Sequence, residues 1–454
     1  MFVNRKTEIE RLKLALSSKK SQLIVIYGRR RCGKSALLRK IMDDSFVYYS
    51  ADMSETPLQI KALSERMEKV IPGFAGPVYS RWDVLLRSFN NALKRRVTLC
   101  IDEFPYLVKN SPELPSMLQN LVDERDQDNF NIILCGSSQA MMRGMVVDCH
   151  APLYGRANEI LRVDPMQIGN LKEFLGVNAV DAVTEYSIWG GVPRYWEIRK
   201  ESKSIEEALL RHVVNPHGLL ADEPERLFAD ELRTSIQAYT LLALIAAGCH
   251  RLTEMASRVG KPATHLSGIL SFLTGLKYIR RELPWGESVR STKKTLYKID
   301  DPFLRFWFTF VVPERSRIEA GLTDQVMKRI NRELQGYVSA EWENLCRRAV
   351  PFLGLPGEFE PGARWWGRAI DGTITEVDVV ACSSDGKSLL IGECKWSDEQ
   401  DAQKTAEELQ AKIKALPFFS HHEVIPALFL KKKPKNNPKG FLIFTPGDVV
   451  GVMV

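Results

Sequence analysis

Along the first third of the chain, short runs of apolar β-formers alternate with longer stretches of helical period. Residues 23–27, 46–50, 97–101, 131–136 and 158–163 read as strands, and 97–101 and 131–136 are apolar enough to be buried on both faces. Residues 4–16 form an amphipathic helix with Ile9, Leu12 and Leu16 on one face. Helical patterns fill the fifties to the early nineties, and another lies near 114–123. Strands alternating with helices predict an α/β fold built on a parallel sheet with right-handed crossovers.

From about Leu232 the pattern changes. Residues 239–247 are a strongly apolar helix. A second helix opens at 251–256 with Thr253 as its cap and ends at Gly260, and a third starts at Pro262 and runs through Leu266, Ile269, Leu270 and Leu273. Residues 278–283 and 295–299 read as two strands around a polar loop. The aromatic stretch 301–310 alternates poorly and is read as packing between domains, in preference to a base-stacking platform. A helix near 337–349 carries Glu341 and Glu343, and Trp365-Trp366-Gly367-Arg368 precedes a turn at Asp371-Gly372. Strands are expected at 375–381 and 388–396 around a Ser383–Gly386 turn, followed by a charged helix over 398–416.

A length of 454 residues suggests about three domains. The formal net charge of +7 is compatible with a nucleic-acid partner without pointing to one. Eight scattered cysteines with no C-x-x-C pair read as reduced thiols, not as a disulfide framework. No segment approaches a membrane span of roughly 20 apolar residues, and the start lacks a signal-peptide core, so the expected setting is the cytoplasm with no membrane partner.

The strongest chemistry follows the first strand: Gly28-Arg29-Arg30-Arg31-Cys32-Gly33-Lys34-Ser35, then a helical pattern. Strand, glycine-flanked loop and helix make a phosphate cradle, with Lys34 reaching the β- and γ-phosphates and the Ser35 hydroxyl on Mg²⁺. Asp102 ends the buried 97–101 strand, where an acid can hold the Mg²⁺ hydration shell, while Glu103 can polarise an attacking water. Ser137 can sense the γ-phosphate or simply cap a turn, and Arg156 is a phosphate-sensing or a structural arginine. Gly190-Gly191 followed by Pro193 makes a rigid bend able to lay an apolar edge on an adenine ring.

Asn4-Arg5, the phosphate loop, 100–104, 152–156 and 190–193 come in an order that resembles the archaeal-type ATPases of the STAND branch of P-loop NTPases, related to AAA+ proteins. The resemblance spans the first half of the chain. It implies a nucleotide domain with a helical lid that works as a switch, with ATP and Mg²⁺ as cofactors. It carries Lys34, Ser35, Asp102, Glu103 and Arg156 over as functional residues, with Pro193 as the adenine neighbour.

The 235–300 pattern resembles a winged helix-turn-helix. There Thr264, His265 and Ser267 would face a DNA groove, and Arg280, Arg281, Arg290, Lys293 and Lys294 would hold phosphates; an internal protein-contact module is the alternative. In the last third, Asp378 and Glu393 fall on adjacent strands, able to share a divalent metal, and Lys395 projects from the same face as Glu393. With Glu343 on the preceding helix, this resembles the PD-(D/E)xK core of the restriction-endonuclease-like fold. That likeness implies a second metal site at Glu343, Asp378 and Glu393, with Glu393 and Lys395 beside Asp378 as catalytic residues; the chain departs from it at Val377, where the pattern has proline. The basic run Lys431 to Lys439 is a solvated loop or a track for a DNA backbone.

The expected order is an ATPase core over 1–165, a helical lid over 166–230, a winged helix over 231–300, an aromatic linker over 301–330 and a nuclease-like α/β domain over 331–454. The functional expectation is an ATP-hydrolysing switch joined to a DNA-associated, metal-dependent nuclease-like domain. The alternative is a nucleotide-switched regulator or scaffold whose C-terminal domain is inert and binds DNA or a protein. A protein partner or self-association is compatible with either.

Overall fold

The structure, a computed structural model, describes residues 3–124, 130–148, 151–231, 235–288, 290, 292, 294–418 and 422–454. The chain forms two compact units, Met1–Pro165 with Ala229–Arg233 and Met166–Phe228 with Thr234–Val454.

The first unit runs α1 (Lys6–Leu16), β1 (Leu23–Tyr27), α2 (Lys34–Ile41), β2 (Phe46–Ser50), α3 (Thr56–Met67), α4 (Trp82–Ala92), β3 (Val97–Asp102), α5 (Phe104–Asn110), α6 (Leu114–Asp123), β4 (Phe130–Gly136), α7 (Gln139–Val146) and β5 (Glu159–Arg162). Its five strands are all parallel, in the order β2-β3-β4-β1-β5. Every residue of β1, β3 and β4 is buried, which is why these strands are continuous apolar runs instead of alternating ones. β4 lies between β1 and β3, so the carboxyl ends of β1, β4 and β3 stand side by side.

The second unit begins with α8 (Ile168–Leu175), α9 (Ala179–Trp189), α10 (Pro193–Lys200), α11 (Ile205–His212) and α12 (Glu223–Glu231), whose residues from Ala229 on are grouped with the first unit. Gly190 ends α9 at φ 60°, and Pro193 opens α10 at a position where no backbone N–H is needed. Next come α13 (Ser235–Ala246), α14 (Leu252–Val259), α15 (Ala263–Gly275), and the antiparallel pair β6 (Ile279–Glu282) and β7 (Leu296–Ile299). Gly260 closes α14 in the left-handed region as expected, but Thr253 is not the cap. Arg251 occupies that position without a side-chain bond, and Thr253 is already inside the helix. The aromatic stretch is α16 (Pro302–Phe306) and a π-helical turn, Trp307–Val311; Phe303, Phe306, Trp307, Phe308 and Phe310 are all buried, so these rings are interior packing and not a surface platform.

After α17 (Arg315–Glu319) and the long α18 (Thr323–Ala349), a second sheet is built from β8 (Ala363–Arg368), β9 (Ile374–Cys382), β10 (Ser388–Lys395), β11 (Glu423–Leu430) and β12 (Leu442–Phe444), with α19 (Ala402–Ala415) after β10 and α20 (Pro446–Val452) at the end. The order is β12-β11-β10-β9-β8: β10, β11 and β12 are parallel, β8 and β9 antiparallel. α18 packs on β9 and β10, α19 on β10 and β11. Leu409 and Ile413 of α19 close the core over Val377, Val380, Leu389 and Ile391.

Candidate functional site

The loop after β1 is held open by backbone conformations that favour glycine. A Cβ on Gly28 would sit 2.3 Å from the Val163 carbonyl oxygen, a contact no side chain survives. Gly33 lies at φ 92° with open space around it, so its demand is conformational. Arg31 also takes a left-handed φ of 69°. Cys32 and Arg29 are buried and Arg30 is exposed. Lys34 opens α2 with its ammonium buried, donating to the carbonyls of Gly28 at 2.7 Å and Arg29 at 3.1 Å. A buried ammonium ringed by its own loop is ready to exchange carbonyl partners for anionic oxygen.

Ser35, one residue on, donates its hydroxyl to Asp102 Oδ2 at 2.7 Å. Asp102, buried at the end of β3, also accepts from the Tyr48 hydroxyl at 2.7 Å, and its Oδ1 accepts from the Glu103 amide at 3.0 Å. Burial and that carboxylate push the Tyr48 phenol well above its usual range. Glu103 takes φ 55°, turning its side chain away from Asp102 toward β4, where Oε2 accepts from both the Ser137 hydroxyl (2.8 Å) and amide (3.2 Å). The structure thus brings Lys34, Ser35, Asp102, Glu103 and Ser137 together at three adjacent strand ends. Arg156 is fork-bonded to Asp123 at 2.7 and 2.8 Å and also donates to the carbonyls of Pro152 and Tyr154, the partner set of a structural arginine. Pro193 lies in the second unit, at the start of α10.

Two residues beside this site stand outside the phosphate-loop and strand-end motifs. Tyr48 is one of two consecutive tyrosines in a strand, where only one can face the core, so the other needed a polar partner. Arg5 is buried at φ 73° and donates to the Cys32 carbonyl in the loop (3.0 Å) and to Asp164 O (2.7 Å), clipping the loop to the segment after β5. The resemblance drew attention to it without giving it a task.

In the second unit, the ladder between β9 and β10 ends at Val379 opposite Gly392. One step further the Asp378 side chain, instead of a backbone carbonyl, accepts from the Cys394 amide at 2.8 Å. This places Asp378 across from Glu393, and burial together with the Glu393 charge raises the Asp378 carboxyl to about 6. Glu343 of α18 is raised to about 7 by burial and by Asp378. Glu393 is buried, and each of its oxygens is taken: Oε1 by Lys395 at 2.9 Å, Oε2 by Lys412 of α19 at 2.8 Å. Arg347 donates to the Asp378 carbonyl at 2.9 Å and lies 3.7 Å from Glu343.

Among the described residues no three His, Cys, Asp or Glu side chains converge to hold a metal, so Glu343, Asp378 and Glu393 do not form the expected three-acid cage. The physical reason is that two lysines and an arginine already hold the charges of this cluster. Sequence reading missed Lys412, whose signal was a lysine on the buried stripe of α19, three residues after Leu409.

The charges assigned to a DNA backbone divide. Arg280 turns inward onto Glu282 (3.0 Å) and Asp300 (3.2 Å) and does not face outward toward a DNA backbone. Arg281 and Arg290 are exposed, Lys294 pairs with Glu287, and Lys293 lies outside the described residues. Thr264 and His265 are exposed on α15, while the Ser267 hydroxyl bonds back to the Thr264 carbonyl. Lys431 and Lys432 share Asp398. Among the described residues no helix is long and apolar enough to cross a membrane, and Cys32, Cys100 and Cys135 are free thiols.

Residues 2–197 match a domain family described as an ATPase domain predominantly from Archaea, and 307–406 match one described as archaeal and bacterial proteins of unknown function. An uncharacterised protein of Methanocaldococcus jannaschii is 30% identical over 446 residues, covering 96% of this chain and 97% of that one. An uncharacterised ATP-binding protein of the same organism is 48% identical over 44 residues, 10% of this chain and 75% of its own. Among solved structures, the Walker-type ATPase of Pyrococcus abyssi has a TM-score of 0.53 at 20% identity, covering 68% of this chain and 96% of that one, a likeness of fold.

Proposed function

Because the chain belongs to the same family as the Methanocaldococcus jannaschii protein that it matches along nearly its whole length, and carries an ATPase domain over 2–197, we propose that this ATP-hydrolysing enzyme is a STAND-type nucleotide switch. In this reading its C-terminal domain is a DNA-associated, metal-dependent, nuclease-like module. The observation that carries the reading is the meeting of Asp378, Glu393 and Lys395 at one divergent strand pair, flanked by Glu343, in a chain whose other unit gathers a phosphate loop and two acids.

In the first unit, Lys34 would exchange its two carbonyls for the β- and γ-phosphate oxygens. The Ser35 hydroxyl and Asp102 carboxylate, already 2.7 Å apart, are a donor set that suits Mg²⁺. When bound, Mg²⁺ neutralises phosphate charge as the terminal phosphate leaves. Glu103 would orient and deprotonate the attacking water once its carboxylate is released from Ser137, so Ser137 holds the base in check and reports on the γ-phosphate position. Tyr48 would keep Asp102 aimed at Ser35.

In the second unit, Glu393 is taken by two lysines, so a divalent cation would have to be held by Asp378 and Glu343, where it would supply Lewis acidity at a scissile phosphate. Lys395 would stand where negative charge builds. α13 to β7 would form the winged helix, with exposed Thr264, His265, Arg281 and Arg290 as its DNA contacts. One observation favours a second reading, a regulator with an inert C-terminal domain: both oxygens of Glu393 are already neutralised by protein cations.

Glu103→Gln tests the ATPase half. The variant is expected to bind ATP like wild type and to lose turnover by about 10²-fold or more, as removal of a general base does. Hydrolysis at the wild-type rate would remove Glu103 from the role of base.

A further inference from the structure

Inside the second unit is a cavity of about 210 Å³ that shares Glu343 and Arg347 with the carboxylate cluster and is otherwise lined by residues of neither site above. Its walls come from the β6–β7 pair, the π-helical turn with the end of α16, α18 and β8. We infer that it is a binding site for a phosphomonoester on a small organic group of pentose size.

Charge argues for an anion. Arg280, Lys298, Arg305, Arg347 and Arg364 line the space against only two acids, Glu282 and Glu343. Glu282 alone serves three guanidinia, at 3.0 Å from Arg280, 3.9 Å from Arg347 and 3.8 Å from Arg364. Further acids stand behind the wall: Asp300 on Arg280, Glu376 on Arg364 and Glu341 at 3.7 Å from Arg305. With these acids counted, each of the four arginines has a carboxylate partner, and Lys298 is the lining cation without an ion pair among the described residues. Among the described residues the Lys298 ammonium makes no hydrogen bond or ion pair, and burial lowers its pKa, so it is a cation kept at a cost. Two more nitrogens on the wall, Arg305 Nε and His250 Nδ1, are buried without a hydrogen-bond partner.

Shape and chemistry set the class. At about 30 Å³ for each water, the space equals roughly seven waters: enough for a phosphate and a sugar, too small for a nucleic-acid duplex. Guanidinia suit a phosphate dianion because their N–H pairs match its oxygens. Ile245, Ala246, Ile299 and Ala340 add apolar lining, against which a carbon skeleton would rest. A π-helical turn is rare and concentrates at functional sites; here it delivers Thr309 to the cavity one turn after Arg305. Because Arg347 also donates to the Asp378 carbonyl, a ligand pulling on that guanidinium would reach the carboxylate cluster, whether or not the cluster cleaves DNA.

The test is calorimetric titration of the full chain, saturated with ADP and Mg²⁺ so that the phosphate loop is filled. The probes are ribose 5-phosphate, ribose, and a short single-stranded oligonucleotide with and without a 5′-phosphate. Saturable binding of ribose 5-phosphate but not ribose is expected, weakened at least tenfold by Lys298→Met and unchanged by Lys294→Met, which alters a lysine of the same hairpin region paired to Glu287 outside the cavity. Lys298 holds no ion pair, so its variant should melt with wild type. Binding of only the 5′-phosphorylated oligonucleotide, with the same Lys298 dependence, would support the site and assign its ligand to strand ends. The inference is overturned if neither phosphomonoester binds, if phosphate makes no difference, or if Lys298→Met binds like wild type.

Discussion

The clasp on Glu393 makes a quantitative forecast. This carboxylate is 7% exposed and has one ammonium on each oxygen, Lys395 at 2.9 Å and Lys412 at 2.8 Å. Both lysines are partly open to solvent, with side chains 39% and 30% exposed, so either contact alone is screened. Lys395→Met leaves Lys412 in place, and Lys412→Met leaves Lys395; each variant should lose about 1 kcal/mol. The double variant leaves a buried anion with no cation, which costs about 3–5 kcal/mol. The two substitutions should therefore be non-additive by about 1–3 kcal/mol. Adding Glu393→Gln to the double variant should return most of the loss. Urea unfolding followed by tryptophan fluorescence reads this directly, since Trp342 and Trp396 pack with ring centroids 5.4 Å apart against the same sheet. Additive single effects, or one lysine whose removal alone costs as much as both, would refute the shared clasp.

Three further outcomes follow from the geometry. Gly28→Ala should abolish nucleotide binding and lower the melting temperature, because its Cβ would collide with a backbone carbonyl at 2.3 Å; a variant that binds ATP normally would contradict the loop geometry. Burial raises the folded pKa of Glu343 from 4.5 to about 7 and of Asp378 from 3.8 to about 6. The folded state then holds these protons more tightly than the unfolded one, so stability should fall as pH rises from about 4 to about 7, by no more than about 3 kcal/mol for Glu343, and then level off. A flat profile in Glu343→Gln/Asp378→Asn would assign the slope to this pair, and an unchanged one would exclude it. Neutralising Arg281 and Arg290 should weaken duplex binding and reduce its salt slope, as fewer counterions are released, whereas Arg280→Ala should act on stability by taking from Glu282 its nearest cation and from Asp300 its partner.

What could be read in advance was what the chain keeps local. β1, the loop and α2 are contiguous, so one stretch of sequence specifies a whole phosphate cradle. Asp102 was legible because a buried strand ending in an acid has few other uses, and Asp378, Glu393 and Lys395 because strand alternation and a hairpin turn bring them together. Contacts between distant segments were not legible. Nothing around residue 412 announces a partner 19 positions earlier, and nothing around Tyr48 announces Asp102. Arg280 shows the converse: a cation in a basic stretch looked available for phosphate, and only the fold reveals that Glu282 and Asp300 have already taken it. The cap was placed two residues late at Thr253 because helix starts are set by φ and ψ at the cap, where Arg251 is extended, and not by residue preference alone.

The claim with most at stake is that the second unit works on DNA, and plasmid cleavage measures it most directly. Full-length protein would be incubated with supercoiled plasmid and Mg²⁺ or Mn²⁺, with and without ATP, beside Asp378→Ala and Lys395→Ala proteins shown by cooperative melting to be folded at the assay temperature. The account predicts metal-dependent nicking by wild type, none by Asp378→Ala, and none by Lys395→Ala even though that variant still binds Mn²⁺. An intact plasmid under every metal and nucleotide condition, from a wild-type protein that hydrolyses ATP, would contradict it and leave the C-terminal domain as an inert binding module.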